Sequence, residues 1–515
     1  MPEGPSKLRE TAAKPGVWVA TTYFAEGLPY SVVNSLAEIL FKELGASLQV
    51  IGLTSLFHLP WNLKFLWGPF VDGYETKRRW LIVCELAIVV LIALLALLSV
   101  GGTAALWLLA IGFLLLGLLS ATHDIAVDGY YLEALDSIAQ SKWVGFRAAA
   151  YRLAMVAVGG PLVWLCASFG WLAGLLVAAA LMGALLGYHA LLLPSVEARQ
   201  HAWTRLLALL VGPRGLVLLA ALLGLALLEH YWALGSAIRY AAADLVDARP
   251  SLAWLSAKLG GGAWIGFALL FALLLTLALL PLLRKRLQAR RDSEGLSDYA
   301  ANFVSFLEQP RVALILAFVI LFRTGESFLQ KMRWPFLDDV IHLPLEHFAT
   351  INGTIGVIAS FTATIVGGRL IARDGLRRWI WPFVLAQNVL NLLYVGLALL
   401  PWSWFPADAE SLPASLELAA VAGVILAEHF GAGLGTAVFM VYIMRTCDPA
   451  HKAGHMAIVT AVMSVSFTIA GVGSGFIAAQ IGYAWYFAFT FAATIPAMAL
   501  IPFVPYLDGR PSTTA

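Results

Sequence analysis

Charge is what this sequence has least of. Only 12% of its 515 residues are Asp, Glu, Lys or Arg, against 60% hydrophobic residues and a mean hydropathy of +0.82. The single core of a water-soluble domain of this length does not absorb so much apolar side chain, so the composition implies a polytopic membrane protein. Cysteine is scarce as well. Cys84, Cys166 and Cys447 lie in or beside apolar runs without paired spacing, which excludes a disulfide framework or a cysteine metal site and leaves them as packing residues. No metal or cofactor is expected. The apolar runs lack the strict polar/apolar alternation of an outer-membrane barrel, so the spans are helices and the fold class is all-α. A clear small-residue cleavage site is missing behind the polar start MPEGPSKLRETAAKPG, so the first apolar stretch is expected to remain as a span.

Crossing a hydrocarbon core of about 30 Å takes about 20 apolar residues as a helix. Windows of that length are expected at 16–42, 47–71, 80–100, 104–134, 143–168, 170–193, 215–238 and 261–283, and again at 312–337, 347–372, 379–400, 416–446, 453–479 and 484–506. That is fourteen spans. Basic residues cluster at Lys77, Arg78 and Arg79, Lys142 and Arg147, Arg284–Arg291, Arg373–Arg378, Arg445 and Lys452, whereas the alternate loops hold only Lys42, Arg239, Arg249 and Lys258. This bias predicts that both termini are cytoplasmic.

The chain also repeats itself. GPFVDGYETKRRW follows the second span and GGRLIARDGLRRW the ninth, with Asp72 and Asp374 302 residues apart; THDIA near the end of the fourth span is matched by AEHFGAG in the twelfth. The predicted layout is a tail (1–15), a six-helix bundle (16–193), a two-helix insert (194–284), a linker (285–310), a second six-helix bundle (311–506) and a tail (507–515). Parallel six-helix halves with a midplane site between them are the plan of major facilitator transporters.

Charges inside spans are costly unless they face a cavity or a partner, so each is a candidate functional group. One layer falls near midplane. Glu26 and His58 lie about 15 Å into their spans, Arg323 and Glu326 share a helix face at about 17–21 Å, and Glu428 and His429 lie about 16–20 Å deep. Gly27 and Pro29 beside Glu26 free polar backbone that must face a cavity or another helix. A proton site at Glu26 or Glu428 and an anion site at Arg323 are expected, with mutual neutralisation of Arg323 and Glu326 as the bland alternative. His58 reads equally as a hydrogen-bonded packing residue.

A second layer, Lys64, Glu85, Asp124, Asp128, Arg147 and Arg152, lies toward the cytoplasmic end of the first half. Asp124 and Asp128 are four apart on one helix and need nearby cations to be ionised together. A cytoplasmic salt-bridge gate is expected here; direct cargo contact and static pairing are the other readings. The repeated loops, through Asp72, Arg78 and Arg79 and through Asp374, Arg377 and Arg378, are expected to be conformational latches.

FAEGLP (Phe24–Pro29), LPWNLKFLWGPFVDGYETKRRW (Leu59–Trp80), SATHDIAVDGYYLEAL (Ser120–Leu135) and YRLAM (Tyr151–Met155) resemble the peptide/acetyl-coenzyme A transporter family of the major facilitator superfamily, with its AmpG-like muropeptide permeases. The resemblance implies a bacterial inner-membrane protein that imports a large, polar, anionic solute, an anhydro-muramyl peptide, by proton symport with alternating access; its partner would be that small-molecule substrate. The proton gradient would be its energy source, and it would be a monomer without a nucleic-acid partner. Acetyl-coenzyme A and siderophore carriers belong to the same branch. An intramembrane acyl transferase using His123 and Asp124 is disfavoured because no serine or cysteine nucleophile has an evident partner. A non-pumping facilitator remains the other rival.

Overall fold

The computed structural model describes residues 14–195, 304–400, 415–448 and 452–508, with a few single positions between 196 and 303. The two-helix insert and most of the linker expected from the sequence lie outside the described residues. The first half comprises α1 (Pro15–Glu43), α2 (Leu48–Gly73), α3 (Lys77–Ser99), α4 (Leu106–Ala134), α5 (Ser137–Phe169) and α6 (Trp171–Leu192). The second comprises α7 (Val312–Asp339), α8 (Leu345–Asp374), α9 (Leu376–Leu399), α10 (Ser415–Thr446), α11 (452–481) and α12 (483–500).

Starts and stops of these helices follow local chemistry. Asp136 caps α5 by accepting the Ala139 amide at 2.8 Å, and Thr76 caps α3 by accepting that of Arg79 at 3.2 Å. The hairpins α5/α6, α8/α9 and α11/α12 turn on single glycines, Gly170 (φ 87°), Gly375 (φ 88°) and Gly482 (φ 72°), where any side chain would be strained. Gly170 and Gly482 occupy corresponding places in the two halves, so the repeat extends to the turns.

Nine helical stretches among the described residues are long and apolar enough to cross a membrane. One of them, Ile458–Leu500, reverses at Gly482 and makes two crossings, while α1 and α2 are crossings interrupted by π and 3-10 turns. Twelve of the fourteen expected spans are therefore described. In α1, Pro29 removes a backbone donor and a π turn (Val32–Leu36) follows; the Ser31 hydroxyl donates to the Gly27 carbonyl at 2.8 Å. A second π turn surrounds Pro161 in α5 (Val158–Leu162), and a third opens α8 (Ala349–Gly356).

The halves meet along α2 against α11 and α5 against α8. At the glycines of this seam backbone packs directly on backbone. A Cβ on Gly353 would collide with the Gly159 carbonyl, one on Gly475 with the Leu48 carbonyl, and one on Gly52 would lie 3.0 Å from the Gly475 nitrogen. These contacts lie toward the face at which α1 turns into α2, here the distal face. Toward the terminal face, where α1 begins and α12 ends, the seam loosens, and Leu66 and Phe70 of α2 are 58% and 41% exposed.

Candidate transport site

In the first half the buried charges gather on α1, α2, α4 and α5. Lys64 pairs with Asp124, and Arg147 pairs with Asp128 at 2.8 Å. The Tyr23 hydroxyl donates to Asp128 at 2.8 Å, and the Arg147 guanidinium lies over the Tyr23 ring at 4.6 Å. Glu26 is buried, faces Asp124 and Asp128, and has one carboxylate oxygen without a hydrogen-bond partner. It points into the bundle and not toward lipid. Three carboxylates therefore share two cations. The side chains of Lys64, Asp128 and Arg147 are 36–38% exposed although they lie well inside their helices, which marks a crevice open to solvent.

Two residues expected in the gate stand elsewhere. Because α3 packs against both α4 and α6, Glu85 meets their histidines instead of Lys64 on α2. It lies 2.6 Å from His189 Nδ1 and 3.3 Å from His123 Nε2, and all three side chains are fully buried. His123 and Asp124, adjacent in sequence, thus face different neighbours. Arg152 joins no ion pair among the described residues; its guanidinium lies over Phe361 of α8, 5.3 Å from the ring centre, across the seam. The remaining partners, Lys64, Asp124, Asp128 and Arg147, all belong to one half, so their bonds do not bridge the two bundles.

The second half contributes two arginine sites. Arg323 sits where α7 breaks between Val312–Phe322 and Thr324–Asp339. One of its terminal nitrogens donates to both Glu326 oxygens at 2.9 Å, and the other donates to Thr436 of α10 at 2.7 Å. Gln330 also donates to Glu326, at 2.8 Å. Glu428 is paired deep inside the bundle with Arg333 at 2.6 Å, while Arg333 donates to Asn352 at 2.7 Å and approaches His429 Nε2 at 3.4 Å. Arg333 was not singled out in the sequence. His58 Nδ1 lies 2.8 Å from the Asn34 side-chain oxygen, and its ring stacks on Trp61 and meets the edge of Phe467 on α11.

Cross-seam ion pairs lie at the distal face, where sequence reasoning placed none. Lys331 of α7 is 3% exposed and donates to Glu38 of α1 at 2.9 Å and Thr54 of α2 at 2.7 Å. Lys42 reaches Asp338 and Asp339 at 2.6 and 2.7 Å, and Tyr483 donates to Asp339 at 2.6 Å. Lower down, Asn62 of α2 bonds Thr468 at 2.8 Å and Ser464, both on α11. The distal mouth is closed and the crevice faces the terminal side.

The repeated loops act within their own halves. Arg78 donates to the carbonyls of Leu193 and Ala190 at 2.9 and 2.7 Å, tying the start of α3 to the end of α6; Arg377 meets Asp508, beyond α12, at 2.5 Å. Asp72 pairs with Lys77 at 2.9 Å, and Arg79 with Glu75 at 2.7 Å. Asp374 accepts the Trp379 indole N–H at 3.0 Å and pairs with Arg373 at 3.0 Å, with Arg378 at 3.9 Å. Among the described residues no cluster of His, Cys, Asp and Glu is arranged to hold a metal.

Two six-helix bundles, sealed together at one face around a charged crevice open at the other, define a secondary transporter of the major facilitator fold. A POT family transporter crystallised with 5-aminolevulinic acid superposes with a TM-score of 0.62 over 95% of this chain and 96% of its own, at 11% identity. No family model matches the sequence. The anhydromuropeptide permease of Escherichia coli K12 is 21% identical over 483 residues, 93% of this chain and 77% of that protein. The putative transporter AmpG 4 of Rickettsia conorii is 22% identical over 487 residues, 93% of each. In sequence the chain is similar to the AmpG transporters and in fold to the major facilitator transporters, and its apolar helices are those of a membrane-embedded protein.

Proposed function

We propose that this transporter imports an anhydro-muropeptide by proton symport with alternating access, the terminal face being cytoplasmic in a bacterial inner membrane. The observation that carries the coupling is the charge count around Glu26: three carboxylates, Glu26 and Asp124 buried and Asp128 at the crevice, against Lys64 and Arg147, with one Glu26 oxygen left without a partner. A proton on Glu26 balances that count. Loss of the proton restores an excess negative charge beside Asp124 and Asp128, which is unfavourable in a closed, poorly hydrated site and tolerable in one open to water. Glu428, the other carboxylate considered from the sequence, already has Arg333 as a buried partner and is assigned to holding α7 and α10 together. The Lys64/Asp124 and Arg147/Asp128 pairs pass the charge change to α2 and α5, the helices that form the seam. Arg323 meets the cargo's anionic group.

The cargo assignment rests on similarity over 93% of this chain, and 77% of its counterpart, to a protein named for anhydromuropeptide transport, and on Arg323 as the anion contact. In proteoliposomes with an imposed proton gradient, the wild type should accumulate a labelled anhydro-muropeptide. Glu26→Gln should lose accumulation while retaining exchange of labelled for unlabelled cargo. Normal accumulation by Glu26→Gln would refute the coupling assignment.

A further inference from the structure

The roof of the crevice differs in chemistry from its walls. One helical turn distal to each of three charged wall residues, an aromatic ring stands on the same helix face: Tyr30 four residues after Glu26 on α1, Tyr151 four after Arg147 on α5, and Trp61 three before Lys64 on α2, which runs the other way. These rings pack together. Tyr30 meets Trp61 almost edge-on at 5.1 Å between ring centres and Tyr151 at 5.7 Å. His58 stacks on Trp61 at 5.4 Å, and Phe467 of α11 brings a ring from the opposite half onto His58, also at 5.4 Å. Tyr30, Tyr151 and Phe467 keep part of their surface exposed. The cluster itself contains no lysine, arginine or carboxylate.

Its polar atoms are unengaged. The Tyr30 and Tyr151 hydroxyls, the Trp61 indole N–H and His58 Nε2 have no hydrogen-bond partner among the described residues, and none of them is sealed from solvent. For His58 the tautomer follows from its neighbour. Asn34 donates its amide to the Tyr30 carbonyl at 2.9 Å, so its oxygen, 2.8 Å from His58 Nδ1, accepts the ring proton there, and Nε2 is left as an acceptor. Apolar ring surface interleaved with two hydroxyls, one donor and one acceptor suits a pyranose, whose C–H faces pack on aromatic rings while its rim of hydroxyl and amide groups donates and accepts. An aliphatic side chain would strand those four polar atoms, and an anion would find no cation among them. We infer that Tyr30, His58, Trp61, Tyr151 and Phe467 form the saccharide subsite of the transporter, holding an uncharged N-acetylated sugar ring of the cargo against the sealed seam. The inference rests on the muropeptide reading above and adds which part of the cargo goes deepest, and what selects it.

The full chain in nanodiscs, titrated with N,N′-diacetylchitobiose, an uncharged disaccharide of N-acetylated amino sugars, provides the test. Saturation-transfer difference NMR with irradiation of the aromatic protons reads binding, and empty nanodiscs set the baseline. The wild type should pass saturation to the pyranose ring protons. Tyr30→Phe and Tyr151→Phe keep the rings and lose one hydroxyl each; each should bind the disaccharide about three- to tenfold more weakly, the loss of one neutral hydrogen bond, and thermal melting establishes that both are folded. With intact anhydro-muropeptide the strongest transfer should fall on its sugar rings. No transfer from the wild type to the disaccharide, wild-type affinity in either phenylalanine variant, or transfer concentrated on the peptide would overturn the subsite. The two claims separate cleanly. Accumulation of muropeptide without binding of the disaccharide removes the subsite and keeps the transporter reading; disaccharide binding that the variants weaken, without accumulation of muropeptide, keeps the subsite and removes the cargo assignment.

Discussion

Replacing Lys331 with methionine tests what keeps the distal mouth shut. The ammonium is 3% exposed, donates to Glu38 at 2.9 Å and Thr54 at 2.7 Å, and is the most buried charge bridging the two halves among the described residues. Methionine keeps most of the volume but strands Glu38, whose side chain is 17% exposed, without its cation in the closed state. Breaking a buried pair costs about 3–5 kcal/mol. Partial access of Glu38 to water reduces this to about 3 kcal/mol, and an opened mouth would hydrate Glu38 and recover most of it. At about 1.4 kcal/mol per decade the distally open population should rise on the order of a hundredfold. The Lys42 pairs with Asp338 and Asp339 have carboxylate side chains 37% and 38% exposed, so Lys42→Met should change that population by less than about fivefold. Both effects can be read from the rate at which an impermeant thiol reagent, added at the distal face, labels Ser55→Cys, a position 2% exposed in the closed seam. Adding Glu38→Gln to Lys331→Met should return part of the shift, because no lone charge then remains. Equal effects at Lys42 and Lys331, or an unchanged labelling rate in Lys331→Met, would refute the assignment of the lock to the buried pair.

Two further outcomes follow from geometry. Arg333→Ala leaves Glu428 buried with only the His429 ring, 3.1 Å away, beside it and should lower stability by about 3 kcal/mol, whereas Arg333→Ala with Glu428→Gln should lose clearly less; detergent-phase thermal unfolding compares them, and a single-variant loss under about 1 kcal/mol would contradict the pairing. Gly353→Ala drives a methyl into the Gly159 carbonyl and should prevent the distal seam from closing, measured as faster distal thiol labelling, while Gly396→Ala, with open space around it, should leave labelling unchanged.

The halves and the presence of charge inside them were legible because both are written locally. Apolar runs of helical length mark the spans, and the DG-plus-arginines loop recurs at a fixed offset. Partnerships were not legible, since they are made by packing. Lys331 and Glu38 are 293 residues apart, and nothing in the spacing of KMRWPFLDDV announces that Lys331 and the two aspartates staple one bundle to the other. That stretch reads as a polar span end. Two signals were available: an arginine and a lysine two residues apart inside a span, and two aspartates at its end opposite the lone Lys42 of a distal loop. Glu85 and Arg152 were grouped with Lys64 by depth alone, which ignores the direction a helix gives each side chain. Glu85 turns toward α6 and Arg152 toward α8. Glu26 was found because its break in hydrophobicity is local, and it does face the interior.

The glycine-lined junctions Gly159/Gly353 and Gly52/Gly475 bear on how readily the molecule changes shape. Surfaces that interlock through large side chains must swap rotamers before they slide, and each swap adds to the barrier. Bare backbone pressed on bare backbone has no teeth to disengage. On the proposed alternating-access cycle such a joint would be a plain bearing: it would fix the axis about which the bundles roll while adding little friction, leaving the tempo of the cycle to the charged groups on either side of it.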